Sequence, residues 1–505
     1  MMEGLSLPLS PSQEVASWGA NALQGRCLHF TFMPAAKWSS RPSPSPGLHP
    51  HPLLPMPTQE QQQLLALSPD PQVSYAIADL DGVLRGKRIH RDKALKDQPL
   101  GFCDVVFGWD LADQLYPDTQ VTGWHTGYPD AQARLDWDSL RGIPWQEGHP
   151  LLLADFRDDP GPIGQVCPRS LLRRVAAEAE AMGFQPRLAG ELEWFVFQEQ
   201  PDALAARGHR DPQPLSPGMF GYSLLRLSQH HAWADAVFVQ MDALGVPLEG
   251  LHTETGPGVY EAAIQHAPPL EAADRMALFK WGSKAIAHRR GLMASFMAKW
   301  QTDLPGCGGH LHQSLWDAEG RRNLFFDPKQ PQHMSQLMRH YLAGQLACLP
   351  VLMPLLAPTV NSYKRLLGGD WAPATFTWGY ENRTTALRVI GQQPDVLRIE
   401  NRLPGADLNP YLALAASLAA GLYGIREQLP LAVEPTQGNA YQAAAQPRLP
   451  HSLAEACDQM AASPLPAQLL GEPFVDHFLR TRRWEWQQYQ RQVSDWERQR
   501  YFEGV

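Results

Sequence analysis

The segment GELEWFVF (190–197) sets two carboxylates, Glu191 and Glu193, inside an otherwise apolar run. Aromatic and branched residues of this kind predict a strand, where side chains two apart share a face. Two adjacent negative charges on a half-buried face are costly unless something positive stands between them. The pattern recurs along the chain. HLHQS (310–314) puts His310, His312 and Ser314 on one strand face, and RIENR (398–402) puts Arg398, Glu400 and Arg402 on another. HTETGPGVYE (252–261) adds Glu254 and Glu261 across a Gly-Pro-Gly turn. For a lone glutamate, a solvent-facing strand position is the ordinary explanation. Five carboxylates with His310, all in strand-like settings, point instead to a filled polar cavity.

Carboxylate-rich sets with one imidazole suit Mg²⁺ or Mn²⁺ better than zinc, because hard cations prefer oxygen ligands. Five negative charges are balanced by two or three divalent ions. Beside the acids, Arg365, Arg383, Arg388, Arg398 and Arg402 fall within the window 361–402. Guanidinium forks bind carboxylates and phosphates bidentately. Metals next to an arginine cluster suggest phosphoryl transfer, where catalysis is mostly positioning and charge stabilisation. No Walker loop accompanies them: GVLRGKR (82–88) has the wrong spacing and reads as part of a hairpin. HExxH, a nucleophile elbow and GxGxxG at a strand–helix junction are also missing, so metals and arginines must hold any nucleotide.

The elements that position these residues follow from the same chain. VSYAIADLDGVLRGKRI (73–89) reads as strand, turn at Asp81-Gly82, strand, and PLLLADF (150–156) as a further strand. CPRSLLRRVAAEAEAMGF (167–184) predicts an amphipathic helix with Pro168 in its first turn. The tail FLRTRRWEWQQYQRQVSDWERQRYF predicts a charged helix whose Trp484, Trp486 and Trp496 are packing anchors. Residues 1–60 differ: WSSRPSPSPGLHPHPLLPMP is a Pro/Ser/His tract unable to build a core, although EQQQLLALSP predicts a short helix. The expected division is an extension of little order over 1–70, a small domain over 71–165 and a large α+β domain over 166–505.

Composition bounds the partners. A formal charge of −9 opposes a nucleic-acid-coating surface. Six scattered cysteines without CxxC fit reduced thiols in a cytoplasmic protein. The longest apolar stretch, LACLPVLMPLLAPTV (346–360), is interrupted by three prolines and is too short to span a bilayer. No signal-peptide pattern opens the sequence.

Taken in order and spacing, GELEWFVF, HTETGPGVYE, GCGGHLHQSL, NSYKRLLGGDWAP, WGYENRTTALRV and RIENRLPGADLNPYLALAA closely resemble the glutamine synthetase family, from about residue 71 to the end. The resemblance implies a small N-terminal β-grasp domain and a catalytic domain with a curved antiparallel sheet flanked by helices. It further implies a homododecamer with active sites between adjacent subunits. By the same resemblance Glu193, Glu254 and Glu261 hold one metal, and Glu191, His310 and Glu400 another. His312, Ser314 and Arg398 help to hold ATP, and Arg365 and Arg402 grip glutamate. Arg383 and Arg388 stabilise the phosphoryl group in transfer. ATP would phosphorylate the glutamate side chain, and an amine would attack the γ-glutamyl phosphate.

Two departures bear on that amine. An acid common in the family directly before the AP of NSYKRLLGGDWAP is here Trp371. The other is VVFGWDL in place of an FDGSS-like segment, with Asp110 nearby; separately, in the glutamate-contacting loop, Pro305 replaces a common Asn before the glycine-rich HLH segment. Metal and phosphate groups are kept while ammonium groups are altered, a combination resembling the γ-glutamylpolyamine and γ-glutamylethanolamide synthetases. The rival is an ordinary glutamine synthetase in which Asp370 replaces the missing acid. Glu381 is a further acid that could face a polyamine. A catalytically inactive structural member conflicts with six filled metal-ligand positions, and a carboxylate-pair glycosidase leaves the arginines without a purpose.

Overall fold

The structure, a computed structural model, describes residues 58–505 except 160, 368–370 and 443–446. The Pro/Ser/His tract and Asp370 therefore lie outside the described residues. Helix Gln59–Leu67 opens with a capping box between Thr58 and Gln61. Gln61 Nε2 also reaches Trp137 O (3.2 Å) and Asp138 (3.1 Å), and Leu65 is buried.

Strands β1 (Gln72–Ala78) and β2 (Leu84–His90) form the expected hairpin. Asp79 Oδ1 accepts from the backbone N–H of Asp81 and Val83 (3.0 and 2.9 Å), and Gly82 supplies the positive φ of 77° that the turn needs. Strands β3 (Leu100–Cys103), β4 (Asp130–Ile143) and β5 (His149–Asp155) complete a sheet ordered β2-β1-β5-β4-β3. Its one parallel pair is β1–β5, so the N-terminal strands form one mixed sheet.

The second sheet carries the chemistry. It comprises β6 (Gln185–Phe197), β7 (Leu248–Thr253), β8 (Val259–Ile264), β9 (Met293–Ser295), β10 (Gly309–Trp316), β11 (Trp378–Tyr380), β12 (Leu387–Ile390) and β13 (Arg398–Asn401). Their order is β11-β12-β13-β10-β6-β8-β7, with β9 also on β6. All pairs are antiparallel except β11–β12. Along β6 the even positions Leu188, Gly190, Leu192 and Trp194 are buried, so Glu191 and Glu193 share the other face. Helix Pro269–His288 covers the buried face so closely that a Cβ on Gly190 would lie 2.6 Å from the Met276 sulfur. Helices Pro168–Ala181, Gln336–Leu356 and Pro410–Arg426 complete the layer; Pro168 occupies the first turn as the sequence predicts.

The predicted tail helix is two helices, Glu472–Gln490 and Asp495–Tyr501. The break has a local cause: SDWE forms a capping box, Ser494 with Glu497, that starts a new helix. Trp484 donates to Asp110 Oδ2 (2.9 Å), whereas Trp496 is exposed and meets only its own helix's Arg500 and Tyr501 among the described residues.

The five-stranded sheet is fastened to the catalytic layer by buried charge. Arg169 bonds Asp155 (2.8 Å), Asp136 (2.7 Å) and Asp274 (2.7 Å). Arg173 joins Asp136 and Asp155 (2.8 and 3.0 Å), and Arg157 joins Asp155 (3.1 Å). Tyr411 donates its hydroxyl to Asp274 (2.7 Å).

Candidate active site

Sheet order and register assemble the polar residues. β10 lies between β6 and β13, pairing His310 with Glu191 and His312 with Glu400. On the other side of β6, β8 pairs Glu261 with Glu193, and β7 sets His252 opposite Glu261. β12 places Arg388 opposite Glu400. A band of titratable side chains thus crosses six neighbouring strands, as alternation along separate segments predicted.

Distances within the band are short. His310 Nδ1 lies 3.0 Å from Glu191 and 3.4 Å from Glu400, and His312 Nε2 lies 3.3 Å from Glu191. His252 Nε2 sits 3.1 Å from Glu261 and its Nδ1 3.8 Å from Glu254. Glu193 accepts the Gly308 N–H (2.8 Å). Three groups bring donor atoms within 4.8 Å of one another: Glu191, Glu261 and His310; Glu191, His312 and Glu400; His252, Glu254 and Glu261. These triads cut across the two sets expected from the resemblance and draw in His312 and His252.

Charges in the band are unevenly met. Arg388 and Arg402 both donate to Glu400. Among the described residues, no lysine or arginine ion pair reaches Glu191, Glu193, Glu254 or Glu261; their partners are histidines and a backbone N–H. Burial and then the neighbouring Glu261 hold the Glu193 carboxyl above the usual carboxylate range. Burial also works against the Glu400 charge, but Arg402 outweighs it and holds this group low. Burial and then Arg402 push His310 down, keeping its imidazole neutral and free to act as a ligand. Glu254 Oε2 is buried without a hydrogen-bond partner among the described residues. Carboxylate oxygens in excess, one of them unsatisfied, beside neutral imidazole are a donor set that fits Mg²⁺ or Mn²⁺.

The band floors a cleft of about 230 Å³ lined by Glu191, Glu261 and His312 together with the guanidiniums of Arg383, Arg388 and Arg398. Arg383 is exposed, and Arg398 Nε donates to His312 Nδ1 (3.1 Å). Several expected residues stand back from its lining, among them Ser314, Arg365 and Arg402. Ser314 is buried and accepts from Trp316 Nε1 (3.0 Å), while Arg365 donates to the carbonyls of Leu403 and Arg402 (3.0 and 3.3 Å). Arg402 Nη2 also donates to the carbonyl of Trp371 (3.4 Å), whose indole is 57% exposed and whose φ is 62°. Asp110 is committed elsewhere: Oδ1 accepts from the N–H of Ala112 and Gln114, both at 2.9 Å, and Oδ2 takes the Trp484 N–H. Glu381 pairs with Arg388 (2.7 Å).

Two cleft residues escaped the sequence reading. His252 lies two before Glu254, a spacing that strand alternation could have flagged. Tyr222 packs on His252 with ring centroids 4.5 Å apart and planes tilted by 33°, and no sequence signal marked it.

Comparison with known proteins bears on this geometry. A sequence-family model described as "Glutamine synthetase, catalytic domain" matches residues 165–501. Type-1 glutamine synthetase 2 of Dictyostelium discoideum is 47% identical over 447 residues, 87% of this chain and 85% of that one. Glutamate–isopropylamine ligase of Pseudomonas sp is 36% identical over 434 residues, 85% of this chain and 94% of that one. A solved structure of a GmaS/ADP complex superposes with a TM-score of 0.76 at 29% identity, covering 88% of this chain and 99% of the other.

Proposed function

The chain belongs to the glutamine synthetase family, and from that premise we propose that it joins the γ-carboxyl of glutamate to a primary amine larger than ammonia. Membership makes it an ATP-dependent carbon–nitrogen ligase acting on glutamate, in a family that works with divalent metal ions. The choice of amine rests on one observation: Trp371, exposed and with its backbone carbonyl accepting from Arg402, occupies the position at which the resemblance puts an acid. An indole offers an N–H donor and an apolar face, so it can neither pair with ammonium nor accept its proton. It can pack against the methylenes of an alkylamine, polyamine or aminoalcohol, or hold a cation over its ring. A relative named for isopropylamine supports this reading. The second reading, glutamine synthesis from ammonia, is favoured by the 47% identical relative named as a glutamine synthetase.

We assign Glu193, Glu254 and Glu261 to one divalent ion and Glu191, His310 and Glu400 to another, with room in the charge balance for a third. Bound there, such ions would neutralise phosphate oxygens and the developing charge of phosphoryl transfer. Arg398 with His312 orients ATP, and Ser314, held by Trp316 Nε1, backs them from the same strand as His312. Arg383 and Arg388 donate to the phosphoryl group as it moves to the glutamate γ-carboxylate, giving γ-glutamyl phosphate and ADP. Arg402 grips the substrate carboxylate, and Arg365 braces it from behind through the 402–403 backbone. The amine nitrogen then attacks, phosphate leaves and a proton is lost to a base. We infer a homo-oligomer, a dodecamer on the family pattern, with the site completed by a neighbouring subunit. No helix among the described residues is long and apolar enough to cross a membrane, and we infer a cytoplasmic enzyme.

The test is phosphate release with ATP, glutamate and a panel of amines: ammonia, isopropylamine, ethanolamine and putrescine. One of the organic amines is expected to give the highest kcat/KM. Ammonia outperforming all of them would overturn the reading and make Asp370 the acid to examine.

A further inference from the structure

A second cleft, of about 590 Å³, opens away from the catalytic band, lined by Pro144, Trp145, Gln240, Arg289 and Arg290. Three separate elements supply these residues. Pro144 and Trp145 form the short turn of helix between β4 and β5, Gln240 sits on helix His231–Ala243, and the arginines follow helix Pro269–His288. The turn and the two helices meet tightly at Gly282, where a Cβ would lie 2.8 Å from the Met241 methyl and 2.9 Å from the Trp145 ring. Trp145 is fixed further by Trp281, with centroids 5.0 Å apart. The walls are therefore set by packing in the folded chain.

The polar groups of this cleft are unmet. Neither Arg289 nor Arg290 has an ion-pair partner among the described residues, although both are exposed. The Gln240 carboxamide forms no hydrogen bond among the described residues, and its Oε1 is buried, which leaves Nε2 as the end facing the cleft. Guanidiniums at a helix C-terminus stabilise the helix dipole without any ligand, and that alone would account for the arginines. It does not account for an unsatisfied carboxamide beside them, lining the same cavity as a mostly buried indole. Two guanidiniums and an amide N–H₂ are donors only, and they suit an oxyanion. Pro144 and the edge of Trp145 offer an apolar floor.

We propose that this cleft is a binding site for a small organic anion, a carboxylate or phosphate monoester carrying a compact apolar body. Arg289, Arg290 and Gln240 Nε2 hold the oxyanion, and Pro144 and Trp145 hold the body. Its volume lies within the 300–1,000 Å³ or so common for small-molecule sites. The site joins the N-terminal sheet to the helix that backs β6.

Calorimetric titration of the full-length protein with phenyl phosphate, benzoate and inorganic phosphate tests this at constant ionic strength, with ADP and Mg²⁺ saturating the catalytic cleft. Phenyl phosphate or benzoate is expected to bind at least tenfold more tightly than inorganic phosphate. The two acids separate the phosphate from the carboxylate source. The double variant R289A/R290A should lose at least tenfold in affinity while keeping wild-type ligase activity, which also reports its fold. Gln240→Leu, with both arginines intact, should weaken binding severalfold. Equal binding by wild type and R289A/R290A would overturn the proposal, as would no binding of either aromatic acid.

Discussion

Two clusters of buried acids and arginines contrast: in one the charges are met within the chain, and in the other they are not. At the junction of the small sheet and the helices, Asp136, Asp155 and Asp274 face Arg157, Arg169 and Arg173 within 3.1 Å. Burial works against the Asp136 and Asp155 charges, yet the arginines outweigh it and hold both carboxyls below the usual range. In the cleft, guanidiniums reach Glu400 but not the other four glutamates, and Glu193 is held high. A balanced cluster is satisfied once the chain folds. An unbalanced one calls for cations from solution, so its excess charge marks a site where the junction's equal number of carboxylates does not.

Breaking the junction should cost stability and spare chemistry. Arg169→Ala leaves Asp274 and its neighbours buried with too little countercharge, a loss of about 3–5 kcal/mol. Denaturant unfolding should show the shift, while activity per folded molecule stays near wild type. Acid should act on the same cluster. Because Asp136 and Asp155 have folded pKa values below their unfolded ones, the unfolded chain takes up protons first as pH falls. Their contribution is full above about pH 4, near the unfolded value, and is lost below it. Arg169→Ala should flatten that part of the stability-versus-pH curve.

Breaking the cleft should do the reverse. Glu261→Ala removes a charge that raises Glu193, so metal-free stability should hold or rise. Activity should fall by roughly 10²–10³-fold, the scale for loss of one preorganised electrostatic group. Steady-state phosphate release beside a thermal melt separates the two effects; a variant that both unfolds and dies would erase the contrast.

Metal ions should distinguish the clusters a third way. Mn²⁺ or Mg²⁺ at a hundred times its dissociation constant should stabilise the wild type by about 2.7 kcal/mol per site. Arg169→Ala should keep that increment and Glu261→Ala should lose most of it. Chelation should abolish turnover, and full activity in metal-free EDTA buffer would end the two-ion assignment.

The two clusters were not equally legible. Four of the five acids lie on strands, where alternation alone puts Glu191 beside Glu193 and His310 beside His312 on one face, so short segments of sequence foretold most of the band; Glu254 lies just past β7. The junction depends on Arg169 meeting Asp274, 105 positions away, across elements whose packing no local period encodes. Arg169 and Arg173 read as the polar side of an amphipathic helix, and nothing nearby distinguished a buried guanidinium from a solvated one. The hairpin turn and the start at Pro168 were legible because their causes are local. The loop residues Tyr222, which lines the cleft, and Trp371 both carry positive φ, which their types do not announce.

The smallest expected effect sits at Trp371, where charge can be added to the unbalanced cluster. Trp371→Glu places another carboxylate on the residue whose backbone carbonyl accepts from Arg402, a guanidinium that also donates to Glu400. Loss of the indole removes packing and cation–π attraction worth roughly 0.5–2 kcal/mol, so kcat/KM for the best organic amine should fall about tenfold. The new carboxylate can bind ammonium and take its proton, so the ratio of ammonia to amine turnover should rise. Trp371→Phe separates the terms: it keeps an apolar ring without the acid, and should retain amine preference with a smaller loss. Competition assays with ammonia and isopropylamine in one vessel read the ratio directly. If Trp371→Glu left that ratio unchanged, the indole would not set the choice of amine, and amine specificity would have to be sought in residues outside the Arg402 neighbourhood.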